Sequence, residues 1–137
     1  MKSEYYSHYG VEAIDICWAY GFHLGNVIKY LMRAGFKTPD PVDDLIKASD
    51  YLQKRKAKIE AENLDSEFDL PKLSEAQEIE LNDRIAVVEE KMEQDNPDLQ
   101  EIFTCVCSLN LDLGLGKLNG YIIFLLQQKV KAKCETT

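Results

Sequence analysis

Hydrophobic residues recur at intervals of three and four along almost the whole chain, the spacing that places side chains on one face of an α-helix. Hydrophobic and polar residues rarely alternate one by one, as they do in a half-buried strand. Glycine and proline together make up 11 of the 137 residues, so few helix breakers interrupt the pattern. The pattern predicts an all-α protein, a single compact domain of about six helices with helical hairpin packing. The predicted helices span residues 11–20, 24–34, 41–62, 74–94, 98–110 and 117–132.

Capping residues mark the predicted ends of several helices. Asp40 followed by Pro41 predicts the start of the third helix, because aspartate caps helices and proline is favoured in the first turn. Ser74 and Gln77 have the spacing of a capping box and predict the start of the fourth helix. Gly35 fits the position after the end of the second helix.

The hydrophobic faces of the helices indicate how they pack. The first predicted helix carries Val11, Ile14, Cys17 and Trp18 on one face. The third and fourth carry hydrophobic residues at spacings of about seven, which is typical of long helices that pack side by side. Two arrangements remain open: a hairpin within one chain, and a helical interface between two copies. We expect a homodimer or a larger homo-oligomer.

Length and charge limit the classes of function. A chain of 137 residues and 15.7 kDa suits one domain, residues 1–137. A net charge of −8 argues against a general nucleic-acid binder, which needs excess cations. The longest apolar run, Tyr121 to Leu126, is six residues, whereas a membrane helix needs about 20. With no secretory signal at the start, we expect a cytoplasmic protein with reduced cysteines and no membrane partner.

The charge is concentrated in the middle of the chain. Residues 1–64 are neutral overall, residues 65–112 have a net charge of −11, and residues 113–137 have a net charge of +3. This distribution predicts an acidic helical segment over 60–112 and a C-terminal helix within 113–137. Such a segment is usually a solvated helix face or a connector; the alternatives are repulsion of nucleic acid and a docking surface for a basic partner.

The most promising candidate for a ligand site is the stretch from Phe22 to Lys37. We expect Gly25 and Asn26 at the start of the second helix, where unpaired backbone amides favour an anion. Lys29 and Arg33 are four residues apart and share a helix face, and Lys37 follows the Gly35 turn. Together these groups would suit a phosphate. The alternative is that Lys29 and Arg33 form an ordinary solvated face.

Carboxylates suggest a second possibility. Glu12 and Asp15 lie three apart on the first helix, and Asp40, Asp43 and Asp44 cluster at the start of the third. Facing carboxylates of this kind hold Mg²⁺ against a pyrophosphate. Acidic residues in a first helical turn also simply favour the helix dipole. Apolar neighbours suggest that Asp15 is half buried beside a cation.

Other candidate sites are weaker. His8 and Tyr9 lie in an aromatic segment that either stacks on a base or forms a hydrophobic strap over the core. Cys105 and Cys107 have no second cysteine pair nearby, so we expect no zinc site, and we expect no haem. The segment from Gly114 to Leu118 lacks the pattern of a Walker A phosphate loop and predicts a turn that opens the last helix. No arrangement typical of a nucleophilic triad is present.

A broader pattern extends over residues 5–55. It begins with His8-Tyr9 and Glu12-Ala13-Ile14-Asp15. It continues with Phe22-x-Leu24-Gly25-Asn26-x-x-Lys29-Tyr30-x-x-Arg33-Ala34-Gly35-x-Lys37, and it ends with Asp43-Asp44-Leu45-x-Lys47-Ala48 and Tyr51-Leu52. This pattern resembles the SaV-like family of small bacteriophage proteins. That family includes a deoxynucleoside monophosphate kinase without a Walker A loop, and a member whose presence triggers the host abortive-infection protein AbiV.

The resemblance implies roles for several of the matching residues. Gly25, Asn26, Lys29 and Arg33 would hold phosphate, and Lys37 and Lys47 are further candidates for binding the nucleotide. His8, Tyr9 and Tyr30 would lie near the base or the sugar. Asp15 and Asp44 would bind Mg²⁺ or orient Lys47. If phosphoryl transfer occurs, the catalytic candidates are Lys29, Arg33 and Asp15.

Three functions follow as expectations. The first is a phage nucleotide-binding protein of the host cytoplasm, a deoxynucleoside monophosphate kinase that uses Mg²⁺ with its nucleotide. The second is an interaction protein that binds and activates AbiV. The third is an all-α nucleoside triphosphate pyrophosphohydrolase with Glu12, Asp15 and Asp43 or Asp44 on Mg²⁺.

Overall fold

A computed structural model describes residues 8–36 and 38–136, and these residues form helices and connections without a strand. The prediction of an all-α protein is therefore confirmed. A short helix and a turn of 3₁₀ helix, Trp18–Tyr20, precede five longer helices. We number the α-helices α1 (Ile14–Cys17), α2 (Gly21–Arg33), α3 (Val42–Glu62), α4 (Glu75–Asp95), α5 (Pro97–Cys107) and α6 (Leu111–Thr136).

The helices pack around one core. α2 and α3 form a hairpin, α6 lies against α3 and α5, and α4 packs against α5 and α1. Helical hairpin packing is therefore present, but the pair differs from the expected one. The third and fourth predicted helices correspond to α3 and α4, and α3 packs on α2 and α6 instead of on α4. Every long helix contributes fully buried side chains to the centre of the core, among them Leu24, Ile28, Leu52, Met92, Phe103 and Leu118.

Two helices begin three or more residues earlier than predicted. α2 begins at Gly21, whose φ of 75° gives the chain a sharp change of direction after the 3₁₀ turn. α6 begins at Leu111, two residues after Leu109, which has a φ of 63° and lies in the turn that follows α5. The segment from Gly114 to Leu118 therefore lies inside α6, and the turn predicted there is wrong.

The predicted capping signals are present. The Ser74 hydroxyl accepts a hydrogen bond from the Gln77 amide at 3.2 Å, and the Gln77 side chain accepts one from the Ser74 amide at 2.9 Å. The Asp40 carboxylate accepts a hydrogen bond from the Val42 amide at 3.0 Å. Because α3 begins at Val42 and not at Pro41, Asp40 lies two residues before the first helical residue, one more than predicted. Gly35 follows the end of α2, as expected.

A connection without helix, residues 63–74, lies in the acidic segment 60–112, where the predicted helices 41–62 and 74–94 leave a gap. The connection is held by Arg55, whose side chain is fully buried. Arg55 forms an ion pair with Asp69 at 2.6 Å and donates hydrogen bonds to the carbonyls of Ser66 and Phe68 at 3.0 and 2.6 Å. No helix in the described part of the chain is long and apolar enough to cross a membrane.

Candidate functional site

An open groove of about 620 Å³ lies where α1, the 3₁₀ turn and the start of α2 meet. Exposed apolar side chains form much of its wall: Ile14 and Phe22 are each 65% exposed, and Trp18 is 38% exposed. Glu12, Asn26 and Lys29 add polar groups to the lining. A concave, mainly apolar site of this size with a few polar groups is typical of small-molecule binding sites.

Close packing between α1 and α2 shapes the floor of the groove. Gly25 is buried, and a Cβ atom there would lie 3.0 Å from the carbonyl oxygen of Cys17. Burial raises the pKa of the Cys17 thiol to about 12, so this thiol is protonated at neutral pH. Cys17 therefore contributes an apolar surface to the groove and no charge.

Gly25 and Asn26 do not lie at a helix start, and that prediction is wrong. Because α2 begins at Gly21, the Gly25 amide lies one turn inside the helix, where amides bond to the carbonyl four residues earlier. The Asn26 side chain lines the groove and donates a hydrogen bond to the Phe22 carbonyl at 2.8 Å.

A cluster of cations surrounds one aromatic ring beside the groove. Lys29 Nζ lies 4.6 Å from the centroid of the Tyr30 ring, the Arg33 guanidinium lies at 4.6 Å, and Lys47 Nζ lies at 5.6 Å. Cations at these distances are attracted by the negative face of the ring. Lys29 also lines the groove, so it joins the groove to the cluster.

Arg33 and Asp44 form a buried ion pair. Arg33 Nε lies 3.0 Å from Asp44 Oδ1, and the two side chains are 8% and 7% exposed. The charge of Arg33 is therefore compensated within the protein. The Asp44 carboxylate is occupied by this ion pair with Arg33. Asp44 is therefore poorly placed to bind Mg²⁺, the role that the resemblance implies for it.

His8 and Tyr9 do not line the groove. The His8 ring stacks on Phe36 with 3.9 Å between centroids, and its Nε2 lies 3.1 Å from Asp95 Oδ2. Tyr9 is buried, and burial together with the nearby charge of Asp95 raises the pKa of its hydroxyl above the ordinary value. This arrangement matches the strap over the core, one of the two alternatives for this segment.

The remaining predicted residues are dispersed. Asp15 is partly buried, and its backbone carbonyl accepts hydrogen bonds from Trp18 at 3.0 Å and from Arg84 at 3.1 Å. Asp40 pairs with Lys129, which lowers the pKa of the Asp40 carboxyl. Lys37 lies outside the described residues. Among residues 8–36 and 38–136, no three His, Cys, Asp or Glu side chains are grouped so that they could hold a metal ion.

Sequence reasoning missed the exposed aromatic residues of the site. The helical pattern groups Ile14 and Trp18 with the hydrophobic face of the first helix, yet both are exposed on the groove. It does not single out Phe22 and Tyr51, although their rings contact each other with 5.8 Å between centroids. The available signal is the spacing of Ile14, Trp18 and Phe22 at intervals of four.

Comparison with known proteins gives one match. The sequence model of a family described as proteins of unknown function (DUF3310) matches residues 1–53, which include α1, α2 and the first half of α3. These residues also contain the groove and the cation cluster. No curated protein and no solved structure matches the chain.

Proposed function

We propose that the chain is a nucleotide-binding protein whose groove holds the nucleoside and whose Lys29 and Lys47 bind the phosphate. The observation that carries the proposal is the open groove with exposed aromatic walls, bordered by a lysine. A groove of about 620 Å³ accommodates a molecule of mononucleotide size, and aromatic side chains such as Trp18 and Phe22 provide surfaces on which a base stacks.

The charges near the groove support the position of the phosphate. Within the described residues, neither Lys29 nor Lys47 forms an ion pair, whereas Lys54, Lys58 and Lys117 each pair with a carboxylate. Lys72, Lys91 and Lys131 also form none there, but they do not line the groove. Uncompensated positive charge is thus found beside the groove of a chain whose net charge is −8. Such charge favours a phosphate over a neutral ligand.

A row of aromatic rings supports one continuous site. The ring of Phe22 contacts that of Tyr51 at 5.8 Å between centroids, and Tyr51 stacks with Tyr30 at 6.0 Å. The row leads from the groove to the ring that Lys29 and Lys47 approach. A nucleotide lying along this row would place its base and its phosphate at opposite ends.

The resemblance to the SaV-like phage family supports the finer proposal of a deoxynucleoside monophosphate kinase. In that reaction, Lys29 and Lys47 would compensate the negative charge on the transferred phosphoryl group. We assign no metal site to Asp15 and Asp44, because Asp44 is engaged by Arg33 and no group of three His, Cys, Asp or Glu side chains that could hold a metal occurs in the described part of the chain. Any Mg²⁺ would accompany the nucleotide phosphates, and it would help to orient them.

The position of Trp18, the single tryptophan of the chain, provides a direct test. We expect its fluorescence to change on titration with one or more deoxynucleoside monophosphates, with free tryptophan as the control for absorption by the ligand. Lys29→Met should weaken binding at least tenfold. The matched control is Lys58→Met, because Lys58 also lies over an aromatic ring but lies far along α3 from the groove.

The outcomes separate binding from catalysis. If neither fluorescence nor thermal stability responds to any nucleoside mono-, di- or triphosphate, with or without Mg²⁺, the proposed site is refuted. Binding without formation of ADP from ATP and a deoxynucleoside monophosphate would retain nucleotide binding and refute the kinase.

A second candidate is the interaction protein that activates AbiV. The favouring observation is α4, which buries one stripe, Leu81, Ile85, Val88 and Met92, and exposes an acidic surface together with Ile79. Direct binding of the purified chain to AbiV, lost when Glu78 and Glu90 are changed to lysine, would support it. Binding that persists in this variant would exclude α4 as the surface.

A further inference from the structure

The C-terminal helix α6 exposes apolar side chains on the face directed away from the core. Its inward face contains Leu118 and Ile122, both buried. On the outward side, Ile123 is 56% exposed, Leu126 is 41% exposed and Val130 is 63% exposed. A shallow groove of about 390 Å³ runs along these three side chains.

The outward residues follow the heptad spacing of a coiled coil, with intervals that alternate between three and four. We call this row the α6 seam, and it consists of Leu113, Gly116, Gly120, Ile123, Gln127 and Val130. A seam with this spacing keeps facing a second helix over several turns. Three exposed apolar residues of α6, Leu113, Ile123 and Val130, therefore have the arrangement that a partner helix requires, and Phe124 and Leu126 lie beside this row.

The two glycines of the α6 seam support a close approach. A Cβ atom added at Gly116 or Gly120 would meet nothing within 4 Å, so packing inside the described chain does not require glycine there. Glycine is nevertheless among the least favourable residues in a helix interior. A second helix whose side chains fill the space above the two glycines would account for both of them.

We propose that the α6 seam binds the α6 seam of a second copy of the chain in antiparallel orientation. This orientation places Gly120 opposite Ile123 and Leu113 opposite Val130, so that the small glycine faces a large side chain. It also brings Asp112, at the start of one helix, beside Lys131, near the end of the other. Asp112 pairs with Lys56 of its own chain, but its side chain is 88% exposed, so the second cation can approach it. Charge complementarity and the opposed helix dipoles both favour this orientation over the parallel one.

Sedimentation equilibrium of the full chain tests the interface. We expect a mass of twice 15.7 kDa for the unmodified protein, and of one chain for Ile123→Lys. Ile79→Lys is the matched control, because Ile79 on α4 is 57% exposed, and it should remain dimeric. A monomeric unmodified protein, a dimeric Ile123→Lys variant or a monomeric control would each overturn the proposal.

A second variant guards against misfolding. A Cβ atom at Gly120 would meet nothing within 4 Å, and glutamate is a better helix former than glycine. Circular dichroism of Gly120→Glu should therefore show undiminished helicity while the dimer dissociates. A fully dimeric Gly120→Glu variant would overturn the proposal.

Disulfide formation tests the orientation. In a Cys134→Ser background, Leu113→Cys combined with Val130→Cys should form a covalent dimer on oxidation, and neither substitution alone should do so. Covalent dimers of the Leu113→Cys single variant would indicate parallel helices and overturn the antiparallel arrangement.

Discussion

The ion pair between Arg33 and Asp44 predicts that Arg33 stabilises the fold and does not bind the ligand. In Arg33→Met, the nearly buried Asp44 carboxylate loses its cation, with which it shares a contact of 3.0 Å. Removing one partner of a buried ion pair costs about 3–5 kcal/mol, because the other charge stays buried without compensation. For a domain of this size, the loss corresponds to a fall in Tm of about 10–20 °C.

Thermal and urea unfolding, followed by circular dichroism, measure this loss. The double variant Arg33→Met with Asp44→Leu should recover most of the stability, since neither charge then remains buried. Below its Tm, Arg33→Met should bind nucleotide within a few-fold of the unmodified protein, whereas Lys29→Met should not. A destabilisation under about 1 kcal/mol, or a selective loss of nucleotide affinity in Arg33→Met, would refute this reasoning.

Three further predictions concern stability. Arg55→Met should lower the free energy of unfolding by about 3–5 kcal/mol in urea titrations, because it leaves Asp69 and two carbonyls without their donor; a loss below about 1 kcal/mol would contradict this role. Ser74→Ala should cost about 1 kcal/mol by removing the capping box with Gln77, and unchanged stability would exclude a contribution from the cap. Burial raises the pKa of the Cys17 thiol from 9.0 to about 12, so the unfolded chain releases this proton at a lower pH than the folded protein does. The free energy of unfolding should therefore decrease as the pH rises from 9.0 to about 12, and it should decrease less steeply in Cys17→Ala. An equally steep fall in that variant would contradict the assignment to Cys17.

The candidate site was only partly predictable from the sequence. The shared face of Lys29 and Arg33 follows from their spacing, because residues four apart on a helix are neighbours. The pairing of Arg33 with Asp44 joins two helices, and spacing within one helix carries no information about such a contact. The hydrophobic pattern groups Trp18 with core residues because large apolar side chains usually lie there, yet Trp18 faces the groove.

Local interactions allowed the sequence alone to determine the helical class and several helix ends. The periodic hydrophobic residues and the capping box of Ser74 act over a few residues, so their effect is readable without the fold. Only the tertiary structure decided which helices pack together, which of the cations near Tyr30 pairs with a buried carboxylate, and where the groove opens. These features depend on contacts between residues separated along the chain, such as Arg55 with Asp69 and Tyr20 with Cys107, and the packing of whole helices determines them.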